Sequence, residues 1–135
     1  MATKIFVNLP VKDLNKSVEF FTKLGFKFDP QFTDENATCM IVGEDIFVML
    51  LVEKFFQTFT KKKISDATKS TEVIVALSAD SKVKVDEMVN KALKAGGTTP
   101  NEKQDQGFMY GHGFQDLDGH LWEVMYMDPA AINQG

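Results

Sequence analysis

The chain has 135 residues, a net charge of −4, 44% hydrophobic residues and 25% charged residues. These values are typical of a globular protein and give no electrostatic reason to expect nucleic acid or an anionic membrane as a partner. No apolar run approaches the length of a membrane span, and the N-terminus lacks a signal-peptide pattern, so we expect a cytoplasmic protein. The single Cys39 lies in an apolar run and is predicted to be a buried structural thiol.

The first half of the chain predicts a strand, a helix and three further strands. Residues 4–11 are rich in β-branched and aromatic side chains, which favour a strand. Asp13 predicts the N-cap of a helix whose apolar side chains recur at helical spacing until Gly25. Polar turns separate the next three predicted strands, which are residues 26–32, 37–42 and 46–52. Residues 53–60 then predict one or two helical turns.

The second half repeats this order of elements. Residues 71–79 predict a strongly apolar strand, and Asp80 or Ser81 is expected to cap a helix that ends at Gly96 and Gly97. The remaining predicted elements are an extended segment at 98–100, a polar turn at 101–106, and closing strands at 108–115 and 120–127. The order β-α-β-β-β therefore occurs twice.

This repeat predicts an α+β domain over residues 1–135 that consists of two similar modules. We place the modules at 1–58 and 71–128, with a polar linker at 59–70. Neither half could bury a sizeable core alone, so we expect the halves to pack together, with their curved sheets enclosing a cavity.

The closing hairpin, residues 110–127, contains both histidines, both tyrosines and the only tryptophan. Strand side chains alternate, so Glu123 shares a face with Leu121 and Met125, whereas Trp122 lies on the opposite face and is expected to pack under a helix. A carboxylate between two apolar neighbours is costly to bury unpaired. Glu123 therefore marks either a solvent-exposed edge strand or a cavity for a metal or substrate.

Tyr110 and His112 lie on the preceding strand with the same parity, so both could face the side of Glu123. The functional interpretation is a polar trio that lines the cavity for hydrogen bonding or proton transfer, with Glu123 and His112 as candidate catalytic residues. The alternative is a hairpin whose tyrosine and histidine face solvent or the helices. Gly111 and Gly113 flank His112 and fit a strand that bends or closely approaches another backbone.

The chain resembles the vicinal oxygen chelate superfamily, which groups glyoxalase I, bleomycin-resistance proteins and extradiol dioxygenases. The resemblance is carried by Val11-Lys12-Asp13-Leu14, Ser17, Phe20-Phe21 and Leu24-Gly25-Phe26, and by residues 114–123, which are similar to the family's D-P-D-G-x-x-x-E hairpin. It is strongest to bacterial proteins called glyoxalase-like or related to lactoylglutathione lyase. It implies two βαβββ modules that form a cupped mixed sheet (the glyoxalase/bleomycin-resistance fold), often in a homodimer.

Metal-dependent members of this superfamily hold one divalent ion with four side chains, one from each of four inner strands. Carried over, the last of these positions is Glu123. The other three fall at or near Phe6, Met49 and Ile74, which are not ligands for such an ion. The resemblance therefore implies a protein without the usual metal site and with no cofactor. A divalent metal bound by Glu123 is the alternative.

Two functions follow from the resemblance. The first is a glyoxalase-like protein that binds a small molecule in an apolar cavity. Its candidate ligand contacts are Phe6, Asn8, Met49, Ile74 and Tyr110. The second is an enzyme, a metal-dependent lyase, isomerase or dioxygenase related to lactoylglutathione lyase, which uses Glu123 with or without His112. No nucleic acid or membrane partner is expected.

Overall fold

The structure is a computed structural model and describes residues 3–132. The chain divides into two compact units between Ser65 and Asp66, within the segment that we predict as the linker. Among the described residues, no helix is long and apolar enough to cross a membrane.

The first unit contains one mixed four-stranded sheet. Its elements are β1 (Ile5–Val11), α1 (Leu14–Lys23), β2 (Lys27–Asp29), β3 (Ala37–Gly43), β4 (Ile46–Val52) and the one-turn helix α2 (Glu53–Phe56), which a 3-10 turn extends to Phe59. The strand order is β1-β4-β3-β2, in which β1 is parallel to β4 and the other pairs are antiparallel.

Helix α1 begins and ends as its sequence predicts. The Asp13 carboxylate accepts a hydrogen bond from the Lys16 amide (3.1 Å), and Gly25 beyond the C-terminus has a φ of +104°. The helix buries an apolar stripe that includes Phe20 and Phe21, whose rings meet edge to face. This stripe gives the first unit its core.

The strand predicted at 26–32 is wrong beyond Asp29. Pro30 has no amide hydrogen to donate to a neighbouring strand, and it begins a 3-10 turn that ends at Phe32. The Asp29 carboxylate caps this turn by accepting a hydrogen bond from the Gln31 amide (2.9 Å).

Cys39 is buried in β3, which confirms the prediction of a structural thiol. Burial, together with the negative charge of Asp29, raises the pKa of the Cys39 thiol above its ordinary value of 9.0. The thiol is therefore a poor nucleophile in the folded chain.

The second unit has the same order of elements. They are β5 (Ile74–Ser78), α3 (Lys82–Lys94), β6 (Gln104–Asp105), β7 (Met109–Gln115), β8 (Leu121–Met127) and the one-turn helix α4 (Pro129–Ile132). The strand order is β5-β8-β7-β6, with β5 parallel to β8. The predicted α+β architecture of two βαβββ modules is thus confirmed, although the turn expected at 101–106 also contains the short strand β6.

Helix α3 covers one face of the second sheet. The Ser81 hydroxyl caps its first turn by accepting a hydrogen bond from the Lys84 amide (3.1 Å). The buried side chains of the helix and sheet include Val85, Val89, Ala92, Phe114, Trp122 and Val124. The rings of Phe114 and Trp122 stack with their centroids 6.1 Å apart. The prediction that Trp122 packs beneath a helix is confirmed.

Candidate functional site

The turn between β7 and β8 sets the register of the closing hairpin. The Asp116 amide donates to the His120 carbonyl (3.0 Å), and the Gly119 amide donates to the Asp116 carbonyl (3.2 Å). Counting back along both strands from this pair places Gly113 opposite Glu123 and His112 opposite Val124. Since paired strand residues share a face, Glu123 and His112 point to opposite sides of the sheet.

We name the two sides of the second sheet by what they carry. The cleft face carries Ala76, Gly113 and Glu123, which are paired across neighbouring strands. It also carries the side chain of Gln104 in β6, because Gln104 pairs with Gly111. The helix face is the side covered by α3. Glu123 is half-buried on the cleft face.

A cleft of about 530 Å³ borders the cleft face. One wall is the segment 101–104, which we call the wall segment, and the rest is formed by β7 and β8. The described residues that line it all lie between Asn101 and Met125, so they belong to the second unit. Polar and apolar groups both contribute, and the apolar part comes from Met109 and Met125.

Two glycines of β7 give the cleft its shape. A Cβ atom at Gly113 would lie 3.1 Å from Cδ and Oε1 of Glu123, and one at Gly111 would lie 3.4 Å from Cγ of Met125. The side chains of Glu123 and Met125 therefore fold across β7, in the space that larger residues would occupy. Within the described part of the chain, the Glu123 carboxylate forms no hydrogen bond or ion pair.

His112 reaches the wall segment from the edge of the cleft. Its Nε2 atom lies 3.1 Å from the Asn101 carbonyl oxygen, a hydrogen-bonding distance. His112 borders the cleft, but its contact is with the backbone of the wall and not with Glu123.

Tyr110 faces α3. Its hydroxyl donates a hydrogen bond to Oδ1 of Asp86 (2.7 Å), and this bond raises the pKa of Tyr110 above its ordinary value of 10.0. Hydrogen bonding to Tyr110, reinforced by the charge of Asp86, in turn raises the pKa of Lys103. The structure therefore does not bring Tyr110, His112 and Glu123 together on one face.

The far end of the wall segment is held by β6. The Lys82 ammonium lies 3.6 Å from Oδ2 of Asp105 and 5.6 Å from the centre of the Tyr110 ring. A hydrogen bond from the Gly107 amide, offset in part by desolvation and aided by Lys82, lowers the pKa of Asp105. These contacts and the His112 contact attach both ends of the wall to the rest of the second unit.

Three of the predicted ligand contacts lie in the first unit. Asn8 pairs with Met49 across β1 and β4, and Phe6 stacks on Phe47 with ring centroids 4.9 Å apart. The Asn8 amide donates to the Phe6 carbonyl (3.3 Å). Ile74 lies on the cleft face of the second sheet, opposite Leu121, but does not line the cleft. Roles for these residues in ligand binding stay predictions.

Asp116 is a buried carboxylate that the sequence reasoning did not single out. Its Oδ1 accepts hydrogen bonds from the amides of Asp118 and His120, and its Oδ2 accepts one from Nε1 of Trp122, each at 3.0 Å. Burial raises the pKa of Asp116, while the charge of His120 and the three hydrogen bonds act in the opposite direction. The signal was present, since an aspartate opens the turn six residues before the only tryptophan.

Comparison with known proteins supports the resemblance. The family model described as "Bleomycin resistance protein-like N-terminal" matches residues 3–43. A hypothetical protein from S. aureus is 34% identical, with 93% of this chain and 95% of that chain covered and a TM-score of 0.79. A glyoxalase/bleomycin resistance protein/dioxygenase family enzyme from Burkholderia phytofirmans is 15% identical, with coverages of 93% and 99% and a TM-score of 0.77.

The chain belongs to the vicinal oxygen chelate superfamily. The fosfomycin resistance protein FosX from Listeria monocytogenes is also similar in structure, at 17% identity, coverages of 96% and 97%, and a TM-score of 0.67. Identities of 15% and 17% show that the fold is shared, and they carry no information about whether the activity is shared. No curated protein matches the chain.

The superfamily's four-ligand metal site does not fit the residues of this member. Among residues 3–132, no three His, Cys, Asp or Glu side chains form a group that could hold a metal ion. At or near the positions that the resemblance assigns to the other three ligands, Phe6, Met49 and Ile74 offer hydrocarbon or thioether groups in place of oxygen and imidazole ligands. Glu123 alone cannot hold a catalytic ion in the usual geometry.

Proposed function

We propose that this protein binds a small molecule in the cleft of the second unit without a metal cofactor. The observation that carries the proposal is the cleft itself. Its volume of about 530 Å³ lies in the range of small-molecule sites, which commonly combine apolar walls with a few polar groups. The unpaired Glu123 carboxylate is such a polar group.

The cleft lining supports binding of a ligand that has an apolar part. Met109 and Met125 carry flexible, polarizable thioether side chains, which adapt to ligands of different shape. Gly111 and Gly113 leave room for the side chains of Met125 and Glu123 to lie across β7. The amides of Asn101 and Gln104 offer hydrogen bonds along the opposite wall.

A fragment screen by nitrogen–proton correlation NMR tests the binding. We expect apolar fragments with one polar group to shift the backbone amides of Gly111, Gly113 and Glu123, because these line the cleft. A broad library that shifts none of these amides would contradict the proposal.

Metal analysis tests the second part of the proposal. Purified protein that has been dialysed against buffer should carry far less than one equivalent of nickel, zinc or iron, because three of the four ligand positions lack metal-binding side chains. One tightly held equivalent of any of these metals would show that the protein assembles a different site.

The same carboxylate also favours a second candidate function. An unpaired Glu123 in a cleft could act as a base or a metal ligand in a lyase, isomerase or dioxygenase related to lactoylglutathione lyase. Glyoxalase and ring-cleavage assays with added metals test it. Metal-dependent turnover that is lost in Glu123→Gln would favour the enzyme, and equal inactivity of both proteins would favour binding alone.

A cytoplasmic homodimer is part of the same proposal. Ile5, Phe6 and Ile46 are each about half exposed at the start of β1 and β4, and such clustered apolar exposure is typical of an interaction surface. Light scattering during size-exclusion chromatography should give twice the mass of 15.1 kDa. A single-chain mass at micromolar concentration would exclude the dimer.

A further inference from the structure

We propose that the cleft selects amphipathic cations, meaning an ammonium or similar hydrogen-bond donor on an apolar body, with the positive group bound by Glu123. The inference rests on the proposed function, because it names the class of ligand for the same cleft.

The first support is the placement of the Glu123 carboxylate. It lies over Gly113, within contact distance of where a Cβ would stand, and so projects across β7 toward the wall segment. It has no partner within residues 3–132. An acceptor-only carboxylate in a half-buried position is best satisfied by a charged donor, which forms a shorter and stronger hydrogen bond than a neutral donor.

The second support is the charge of the cleft lining, which contains two carboxylates, those of Glu102 and Glu123, and one ammonium, that of Lys103. Among the described residues, Lys103 forms no ion pair with Glu123. The excess of carboxylates attracts a cationic ligand and repels an anionic one.

The third support is the apolar surface beside the carboxylate. Met125 follows Glu123 by two residues on the same face, and Met109 lies further along β7. Thioether sulfurs make favourable contacts with aromatic rings. An apolar, preferably aromatic, body can therefore lie on the methionines while its ammonium reaches Glu123.

Three probes that share one body test this preference: phenethylamine, phenethyl alcohol and hydrocinnamate. They carry an ammonium, a hydroxyl and a carboxylate on the same phenylethyl group. In NMR titrations of the full chain at neutral pH, we expect the amine to bind about tenfold more tightly than the alcohol, because a hydrogen bond to a charged group exceeds a neutral one by about that factor. Hydrocinnamate should bind most weakly of the three.

Two matched variants assign the effect to Glu123. Glu123→Gln should remove the advantage of the amine over the alcohol while leaving the affinity for the alcohol within about twofold. Glu72→Gln changes the charge equally at an exposed position of the second unit that does not line the cleft, and it should keep the advantage. Well-dispersed spectra of both variants would show that they are folded.

The outcomes separate the inference from the proposed function. If all three probes bind the cleft equally, or if hydrocinnamate binds best, the cation preference is overturned and small-molecule binding stands. The preference is also overturned if it survives in Glu123→Gln. If none of the probes shifts the cleft amides, the inference fails, and the fragment screen decides separately whether the cleft binds any ligand.

Discussion

Asp116 shows how one carboxylate can stabilise a turn and a core side chain together. One oxygen accepts from two backbone amides of the turn, and the other accepts from the Trp122 indole. The tryptophan is almost completely buried, so its N–H needs an acceptor inside the protein. Asp116 therefore connects the conformation of the 116–119 turn to packing beneath α3.

We expect Asp116→Asn to destabilise the protein by about 1–3 kcal/mol, the typical cost of leaving a buried donor unsatisfied. The amide oxygen of asparagine can replace one carboxylate oxygen, but its NH2 group would then oppose the donor of Trp122. Urea unfolding followed by circular dichroism measures the loss. Asp34→Asn is the matched control, because Asp34 accepts two backbone hydrogen bonds at an exposed turn and should change stability by less than about 0.5 kcal/mol. Equal losses in the two variants would contradict the special role of Asp116.

The pH dependence of stability gives a second prediction for Asp116. Burial raises the pKa of the folded carboxyl above its ordinary value of 3.8, so the folded chain holds this proton more tightly than the unfolded chain. The stability contributed by the group is then full below pH 3.8 and is lost as pH rises through the folded pKa. The difference in unfolding free energy between wild type and Asp116→Asn should therefore fall with rising pH in this window and then level off. A difference that grows with pH would contradict the raised pKa.

Gly113 and Gly111 offer a matched pair of substitutions in one strand. A Cβ at Gly113 would lie 2.9 Å from the Trp122 carbonyl oxygen, which cannot move without bending β8, whereas at Gly111 the nearest atoms are 3.4 Å or more away. We expect Gly113→Ala to lower stability by about 1–3 kcal/mol and Gly111→Ala to be close to neutral, because glycine itself is unfavourable in a strand. Thermal unfolding measures both, and a similar shift in melting temperature would show that β7 tolerates either change.

The role of His112 illustrates what could be predicted at this scale. His112 lies two residues from Tyr110 in the same strand, so alternation predicts that the two side chains share a face. Whether His112 also shares a face with Glu123 depends on the register of the hairpin. In the structure Asp116 lies opposite His120, so Gln115 pairs with Leu121 and not with His120, at which the second predicted strand begins. The contact of His112 with the Asn101 carbonyl could not be predicted, because Asn101 lies in a loop and no helix or strand pattern relates its position to that of His112.

At the scale of elements, the hairpin turn is packed against an earlier segment. Gly119 has a φ of +91°, and a Cβ there would lie 2.7 Å from the Thr68 amide nitrogen and 2.8 Å from main-chain atoms of Ala67. The polar segment that we predict as part of the linker is thus ordered by local hydrogen bonds, since the Asp66 carboxylate accepts from the Thr68 amide at 3.0 Å. Composition alone does not reveal such packing.

Gly119→Ala and Gly107→Ala separate backbone strain from crowding. Both glycines have positive φ, which costs other residues about 1–3 kcal/mol. Only Gly119 also faces nearby main-chain atoms, since nothing lies within 4 Å of a Cβ at Gly107. We therefore expect Gly119→Ala to lose clearly more stability in urea unfolding. Equal losses of stability would mean that the segment 66–70 moves away from the new Cβ at little cost.

The strands and helices with strong patterns were predicted well, whereas short elements were not. The apolar stripe and caps of α1 specify its ends, and alternation specifies β7 and β8. Strand β6 has only two polar residues, Gln104 and Asp105, and forms because β7 offers a free edge. Pairing of this kind depends on tertiary structure and leaves no signal in a single sequence.

At the scale of the whole molecule, each unit has its own probe. Trp122 is the only tryptophan and is buried in the second unit, while Cys39 is the only cysteine and is buried in the first. Tryptophan fluorescence therefore reports unfolding of the second unit. Alkylation of the thiol reports opening of the first unit, because burial protects the side chain and raises its pKa.

We expect the two probes to give the same urea midpoint. The units contain residues 1–65 and 66–135, and single cores below about 70–80 residues supply little net stability on their own. A chain of this size is then expected to unfold as one cooperative transition. Pulsed alkylation of Cys39 and fluorescence of Trp122, recorded on the same samples, test this coincidence. If the thiol becomes reactive at a clearly lower urea concentration than that of the fluorescence change, the first unit unfolds while the second unit stays folded. The expectation that neither half is stable alone would then be wrong for the second unit.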